Sequence, residues 1–320
     1  MHCELVIPGL FSARAAPRFA ALELLLARGR KRTGAQHSLE QWLQEHFEIE
    51  DPFPAGALTL LASGTDPGEA IWARADPVHL RVMRDHVLLV PAQAFELSRE
   101  EADALCEALN RHFEELNFSV SEPRRWCARV AGEIGAKAHP LELAGEEIRP
   151  ASDTAALLNE VQMVLHEHPV NEAREARGEP AVNSVWLWGA GRATGAHCVW
   201  HSVAADDPAA LGAARLAGAR YRPLPRSAHE WLQRLPEEGR HLAVLDALRA
   251  PLAFAKEAVQ NEIQMLERDW FAPLLAALRA ERIGMVTVHV PDSAEALSFE
   301  TIRGDLRRFW RLAKPIEHYA

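Results

Sequence analysis

The chain has 320 residues, enough for one large domain or for a main domain with an insert. Its 45 acidic and 35 basic side chains leave a formal net charge of −10, which excludes a general nucleic-acid binder, because such a protein needs a basic face to neutralise phosphates. Four cysteines (Cys3, Cys106, Cys127, Cys198) without CxxC spacing make no disulfide framework, and no window is apolar for long enough to span a bilayer, so a cytoplasmic protein without a membrane partner is expected.

The first element is the apolar run from Glu4 to Leu10, which contains Pro8-Gly9 and lacks the basic leader of a signal peptide. It reads as a strand and turn, followed by a helix over Phe19 to Arg30 with Leu22, Leu25 and Leu26 at helical spacing. Arg28, Arg30, Lys31 and Arg32 then read as a solvated helix end. Ser38 is placed to cap a helix running to Phe47. Residues 52 to 67 are rich in Pro, Gly and small side chains, and a different texture starts near Ala75. Val87 to Val90 is a short strand. Ser98 opens an amphipathic helix with Glu101 at the capping-box position, and Trp126 to Val130 is strand-like. This middle stretch, residues 71–150, predicts an inserted α+β cap subdomain, with residues 1–70 and 151–320 forming the main α/β domain.

From Asp153 a helix runs through Leu157, Val161 and Leu165 and stops before Pro169. Val182 to Trp188 is an apolar strand that enters Gly189-Ala190-Gly191. Leu242 to Leu245 is another strand, ending at Asp246. A long helix over Phe254 to Arg279 is expected to bend at Pro273. Met285 to Val290 is a third late strand. Most of the nine tryptophans read as core packing, with Trp186 and Trp188 on one face of their strand.

In open α/β sheets, ligands bind at the C-terminal edge of the strands. Asn171, Arg174 and Asn183 are the polar groups near the expected edge after Trp188, with Gly189 and Gly191 making the turn. An arginine there could fork onto a carboxylate or phosphate. The plainer alternative is that Asn171 caps a short helix, Arg174 is solvated and the glycines only turn the chain. A bare GxG with these flanks does not fit a dinucleotide fingerprint. His197, Cys198 and His201 have a spacing that can contribute to a zinc site, but only if remote residues complete it; a polar loop is the simpler reading. There is no GxSxG elbow.

The stretch HPVNEAREARGEPAVNSVWLWGAG resembles a signature of archaeal-type cofactor-independent phosphoglycerate mutases. VIPGLFSARAAPRFAALELLLARG resembles that family's first strand and helix. VLDALRAPLAFAKEAVQNEIQMLERDWFAPLL resembles its segment of metal ligands ahead of a long helix. WARADPVHL and VNSVWLWGAG are closer still to a bacterial branch, the RpfE-type regulatory proteins. The resemblance implies an alkaline-phosphatase-like three-layer α/β sandwich with an inserted cap. It also implies two metal ions and a metal-activated hydroxyl nucleophile. This chain departs from that pattern. Pro8 stands where the family has a metal-binding Asp, and Ala55 stands at the nucleophile position, with Thr59, Ser63 and Thr65 as substitutes. Asp246 survives at a ligand position while its companion His is lost near Ala250, and His289 is what remains of an Asp-His pair. The expectation is therefore a catalytically degenerate mutase-like protein that binds a small anionic metabolite or a protein partner. No cofactor is expected, and Asp246 and His289 are vestigial ligands. Two rivals remain, a metal-dependent phosphatase or phosphomutase with rearranged ligands and a structural scaffold.

Overall fold

A computed structural model describes residues 1–11, 18–50, 52–84, 87–132, 134–136, 138–144, 147–148, 155–249, 256–293 and 295–319. In chain order the elements begin with β1 (His2–Val6), α1 (Ala20–Arg28), β2 (Arg30–Gly34), α2 (Leu39–His46) and α3 (Ala55–Ala62). Next come β3 (Ile71–Val82), β4 (Val87–Pro91), α4 (Arg99–His112), β5 (Asn117–Glu122), β6 (Arg125–Val130), β7 (Glu147–Ile148), α5 (Ala155–His166), α6 (Pro169–Ala176) and β8 (Ser184–Gly191). The last third holds β9 (Ser202–Ala205), α7 (Pro208–Leu216), β10 (Arg220–Arg222), α8 (Ala228–Arg234), β11 (Arg240–Val244), α9 (Lys256–Leu266), α10 (Ala272–Arg279), β12 (Met285–Val290) and β13 (Ala296–Ile302).

The chain divides into two compact units, one formed by Met1–Ile49 with Ala196–Ala320, the other by Glu50–Gly195. The first unit carries a seven-stranded sheet in the order β10-β9-β11-β1-β12-β13-β2. The five strands from β10 to β12 run parallel, and β13 and β2 are antiparallel additions at one side. Parallel strands need both faces covered, which is why β1 from Cys3 and β11 from His241 are buried throughout, the polar Glu4 and His241 included. On one face Cys3, Leu5 and Ile7 pack with Leu22 and Leu25 of α1, Trp231 of α8 and Leu274 and Leu278 of α10. On the other face α2 lays Trp42 against His289 of β12, with ring centroids 5.3 Å apart. Helices thus lie on both faces of this sheet, and the expected three-layer α/β sandwich is what forms.

Local signals explain several boundaries. Ser38 and Gln41 close a capping box on α2, and Ser98 and Glu101 close one on α4. The long helix near the C-terminal third does not simply kink at Pro273. It widens into one π-helical turn at Glu267–Phe271, which accommodates a proline that has no N–H to donate to the ladder. The basic run after Gly29 is not a helix end. It is the fully exposed edge strand β2, paired on one side with β13.

The second unit is built on antiparallel pairing around the twelve-residue strand β3. One edge of β3 pairs with β6 and then β4, and its other edge pairs with β8. Leu105 and Leu109 of α4 and Val161 and Leu165 of α5 cover one face, over Ala73, Ala75, Trp126 and Leu187. On the opposite face α3 approaches so closely that a Cβ added to Gly56 would lie 2.5 Å from the backbone of Ala73.

This corrects two sequence expectations. The expected insert, residues 71–150, is too short: α3, α5, α6 and β8 also belong to the second unit. And β8 is not a strand of the parallel sheet, because it pairs antiparallel with β3 from Ser184 opposite Val78 to Gly191 opposite Trp72. An apolar run covered on both faces has the same composition in either kind of sheet, so composition did not distinguish them.

Candidate functional site

The parallel sheet of the first unit opens at the C-terminal ends of β1, β11 and β12, where α/β folds gather their ligand-binding groups. Pro8 and Gly9 leave β1 in a tight turn. Gly9 has φ +79°, and a Cβ there would sit 2.4 Å from the carbonyl oxygen of Leu248, so only glycine fits. The Gly9 N–H donates to the Asp292 carboxylate at 2.7 Å. Burial pushes the Asp292 carboxyl up from its ordinary value, and the hydrogen bond from Gly9 opposes that shift. Asp246 follows β11 and is half-buried at the start of the short helical turn Ala247–Arg249. That turn is tied to α2 through Arg249, whose Nη2 lies 2.7 Å from both carboxylate oxygens of Glu40. Both of these side chains are more than nine-tenths buried.

His289, the other expected vestigial ligand, points from β12 toward the face covered by α2. Its Nε2 lies 3.2 Å from Oε2 of Glu4, in the middle of β1. Glu4 is 1% exposed and also accepts from Nε of Arg240 at 2.7 Å. Burial alone would raise the Glu4 carboxyl; the hydrogen bonds from His289 and Arg240 outweigh it and hold the pKa at about 2. His2 flanks the same carboxylate at 3.6 Å and meets Thr287 at 2.8 Å. Trp42 and His46 stack beside His289, 4.1 Å apart between centroids.

These groups do not suit a pair of divalent ions. Proline cannot ligate, His289 spends Nε2 on Glu4 and keeps one ring nitrogen, and Asp292 accepts a backbone N–H. Among the described residues no three His, Cys, Asp or Glu side chains gather in a way that could hold a metal ion. The place near Ala250 where the companion His is lost lies outside the described residues.

In the second unit, Ala55 is fully buried at the start of α3, and its Cβ would be only 2.5 Å from a side chain at Gly189. The substitute hydroxyls are also spoken for. Thr59 donates to the Ala55 carbonyl at 2.8 Å and Ser63 to that of Leu60 at 2.8 Å, the usual back-bonding of a helix. Thr65 is exposed beside Ser63.

The expected anion cleft does not form. Asn171 is 2% exposed; its Nδ2 donates to the carbonyls of Leu165 and Val182, and its Oδ1 accepts from the Val182 N–H, all at 2.8 Å. Asn183 pairs in both senses with the backbone of Leu80, at 2.7 and 3.0 Å, and so continues the β3–β8 ladder with a side chain. Arg174 is 1% exposed, and its guanidinium donates to Pro180 O, Glu101 and Glu96 O. It ties α6 to α4. Trp188 donates its indole N–H to Asp76 at 2.8 Å, within a buried group that includes the Arg74–Asp76 ion pair. Gly189, at φ +57°, and Gly191 allow close approach to Ala55 and Pro54. The four side chains satisfy buried backbone or buried charge and the two glycines permit close packing; this matches neither sequence reading in full, because Arg174 is buried and ion-paired where the plainer reading had it solvated, and His168, not Asn171, caps the short helix.

His197, Cys198 and His201 do not converge either. His197 is exposed beside Glu48, Cys198 contacts the Trp200 carbonyl, and His201 has its ring 6.3 Å from that of His241. Sequence reasoning missed Glu4, Asp292 and the Glu40–Arg249 pair. A usable signal existed for Glu4, since an acid inside an apolar strand must find buried partners. A Ser202–His241 pair at 2.8 Å was also unforeseen, but it is buried at the N-terminal ends of β9 and β11, away from the sheet edge that binds ligands.

No family model matches the chain. Among curated proteins it is 26% identical over 175 residues to the 2,3-bisphosphoglycerate-independent phosphoglycerate mutase of Methanosarcina mazei, and 29% identical over 175 residues to that of Methanosarcina barkeri. Each match takes in 45% of this chain and 44% of the relative, so the chain spans less than half the length of the curated relatives it matches. Among solved structures, the cofactor-independent phosphoglycerate mutase from Thermoplasma acidophilum aligns over 100% of this chain and 94% of its own, at 17% identity and a TM-score of 0.48. The PH0037 protein from Pyrococcus horikoshii aligns over 94% of this chain and 87% of its own, at 13% identity and a TM-score of 0.56, a likeness of fold. The chain is homologous over part of its length to cofactor-independent phosphoglycerate mutases, and its fold is an alkaline-phosphatase-like α/β fold.

Proposed function

We propose that this chain is a mutase-like protein without mutase chemistry, which acts in a regulatory role by binding a small anionic metabolite or a protein partner. The observation that carries this reading is the closed end of β1. There the Pro8-Gly9 turn packs on the Leu248 carbonyl and is held by the Asp292 carboxylate, at the position where the family resemblance implies a metal-binding Asp. The buried Ala55 at the implied nucleophile position points the same way, since a methyl group offers no oxygen to attack phosphorus.

The test is turnover of 2- and 3-phosphoglycerate by purified protein, with and without manganese, alongside divalent-metal analysis. No interconversion and less than one bound ion per chain are expected. Turnover that Asp246→Ala abolishes, together with two bound ions, would replace this reading by that of a metal-dependent phosphomutase with rearranged ligands.

A further inference from the structure

The last described segment of the first unit exposes three large apolar side chains almost side by side: Phe309 at 74%, Trp310 at 67% and Leu312 at 75%. Scattered exposed apolar residues need no explanation, but a contiguous group marks a contact surface. The same segment, residues 303 to 314, carries five cations against a single acid, Asp305, in a chain whose net charge is −10. Arg30, Lys31 and Arg32 of the edge strand β2 add three more cations, all exposed; of the eight, Arg32 pairs with Glu300, Arg303 with Glu281 and Arg308 with Asp305, and the other five give the patch its positive charge. The two stretches are neighbours: Arg308 donates to the Arg28 carbonyl at 3.2 Å and Arg311 to that of Gly29 at 2.9 Å, where the chain enters β2. Phe309 and Trp310 meet edge to face, with centroids 5.3 Å apart.

Cations on an edge strand by themselves discourage strand pairing. That explains β2, but not the three protruding apolar side chains beside it. We infer that this basic, aromatic-tipped patch docks the protein on an anionic lipid surface, with Phe309, Trp310 and Leu312 entering the headgroup region and the surrounding arginines and lysines meeting lipid phosphates. Charge complementarity argues for an anionic occupant, and convex apolar tips enter a deformable interface without a preformed pocket. A second copy in two-fold contact would set arginine against arginine. The attachment is peripheral: no helix among the described residues is long and apolar enough to cross a membrane. It is independent of whether the chain is an enzyme.

The test is co-sedimentation of the full chain with vesicles of equimolar phosphatidylglycerol and phosphatidylcholine, against vesicles of phosphatidylcholine alone. Binding is expected only to the anionic vesicles, and it should weaken as salt shortens the Debye length from about 10 Å toward about 3 Å. The double variant Phe309→Ala/Trp310→Ala should lower the partition coefficient on the order of tenfold. Arg307→Glu, at an exposed side chain, should lower it as well. Met163→Ala, at a residue 74% exposed in the other unit, is the control and should bind as wild type does. Thermal melts of all variants should match, since the altered side chains are exposed. Failure of the wild type to bind anionic vesicles, or binding that the patch variants leave unchanged, overturns the inference. Capture by immobilised polyglutamate without vesicle binding would assign the patch to an acidic protein instead.

Discussion

Replacing Glu4 with Gln removes a charge from the centre of β1 while keeping its shape. Glu4 is 1% exposed and is held by His289 at 3.2 Å and Arg240 at 2.7 Å. Its carboxyl sits at about 2, against 4.5 for an unperturbed glutamate. A difference of this size corresponds to about 3 kcal/mol of folding stability. Arg240 is 44% exposed, so water screens part of its attraction, and about 2 kcal/mol is the fairer expectation. The sign follows from the depressed pKa. The contribution is complete above the unfolded value of 4.5 and is lost as pH falls from there toward 2. Urea unfolding followed by tryptophan fluorescence at pH 7 and at several points down to about pH 3 gives the measurement. Wild type should be more stable than Glu4→Gln by about 2 kcal/mol at neutral pH, and the gap should shrink steadily as pH falls through the 4.5 to 2 window. Two pH curves that run parallel would refute the reasoning, because the stabilisation would then not come from the charged form of Glu4.

Arg174→Ala should destabilise the protein by about 3–5 kcal/mol, since it strands Glu101 and the carbonyls of Pro180 and Glu96; chemical denaturation measures it, and a change within experimental error would mean that the guanidinium is not buried as described. Gly189→Ala should cost about 2–3 kcal/mol, because the new Cβ meets that of Ala55 at 2.5 Å on a backbone with φ +57°; the shift of the urea midpoint reports it. Burial lowers the pKa of His46 below 6.5, against the hydrogen bond to the Trp42 carbonyl, so the unfolded chain takes up the proton first and stability falls as pH drops below 6.5. His46→Gln should flatten that part of the stability curve, and an unchanged slope there would show that His46 does not carry it.

Much of the local structure was legible in the chain itself. Ser98 with Glu101, and Ser38 at the head of its helix, announced two helix starts because a capping box lies within four residues and needs nothing remote. The strand Met285–Val290 was readable from its composition, and the disturbance near Pro273 followed from the missing N–H of proline, although the π-helical turn that absorbs it was not foreseen. The departures at Pro8 and Ala55 were visible only against the family resemblance, which supplied the two positions; residue identity then says that neither side chain can ligate a metal or attack phosphorus. The tertiary structure decided partners. The run through Val185 and Leu187 is apolar whether it joins the parallel sheet or lies antiparallel to β3, and only packing between α3 and α5 settles which. Arg174 could as well have faced a ligand; it is structural because Glu101, 73 positions away, lies against it in the fold. Glu4 shows the limit most clearly. Its identity demanded a buried partner, but His289 lies 285 positions away, and no periodicity in the chain encodes a contact formed only when β1 and β12 lie side by side.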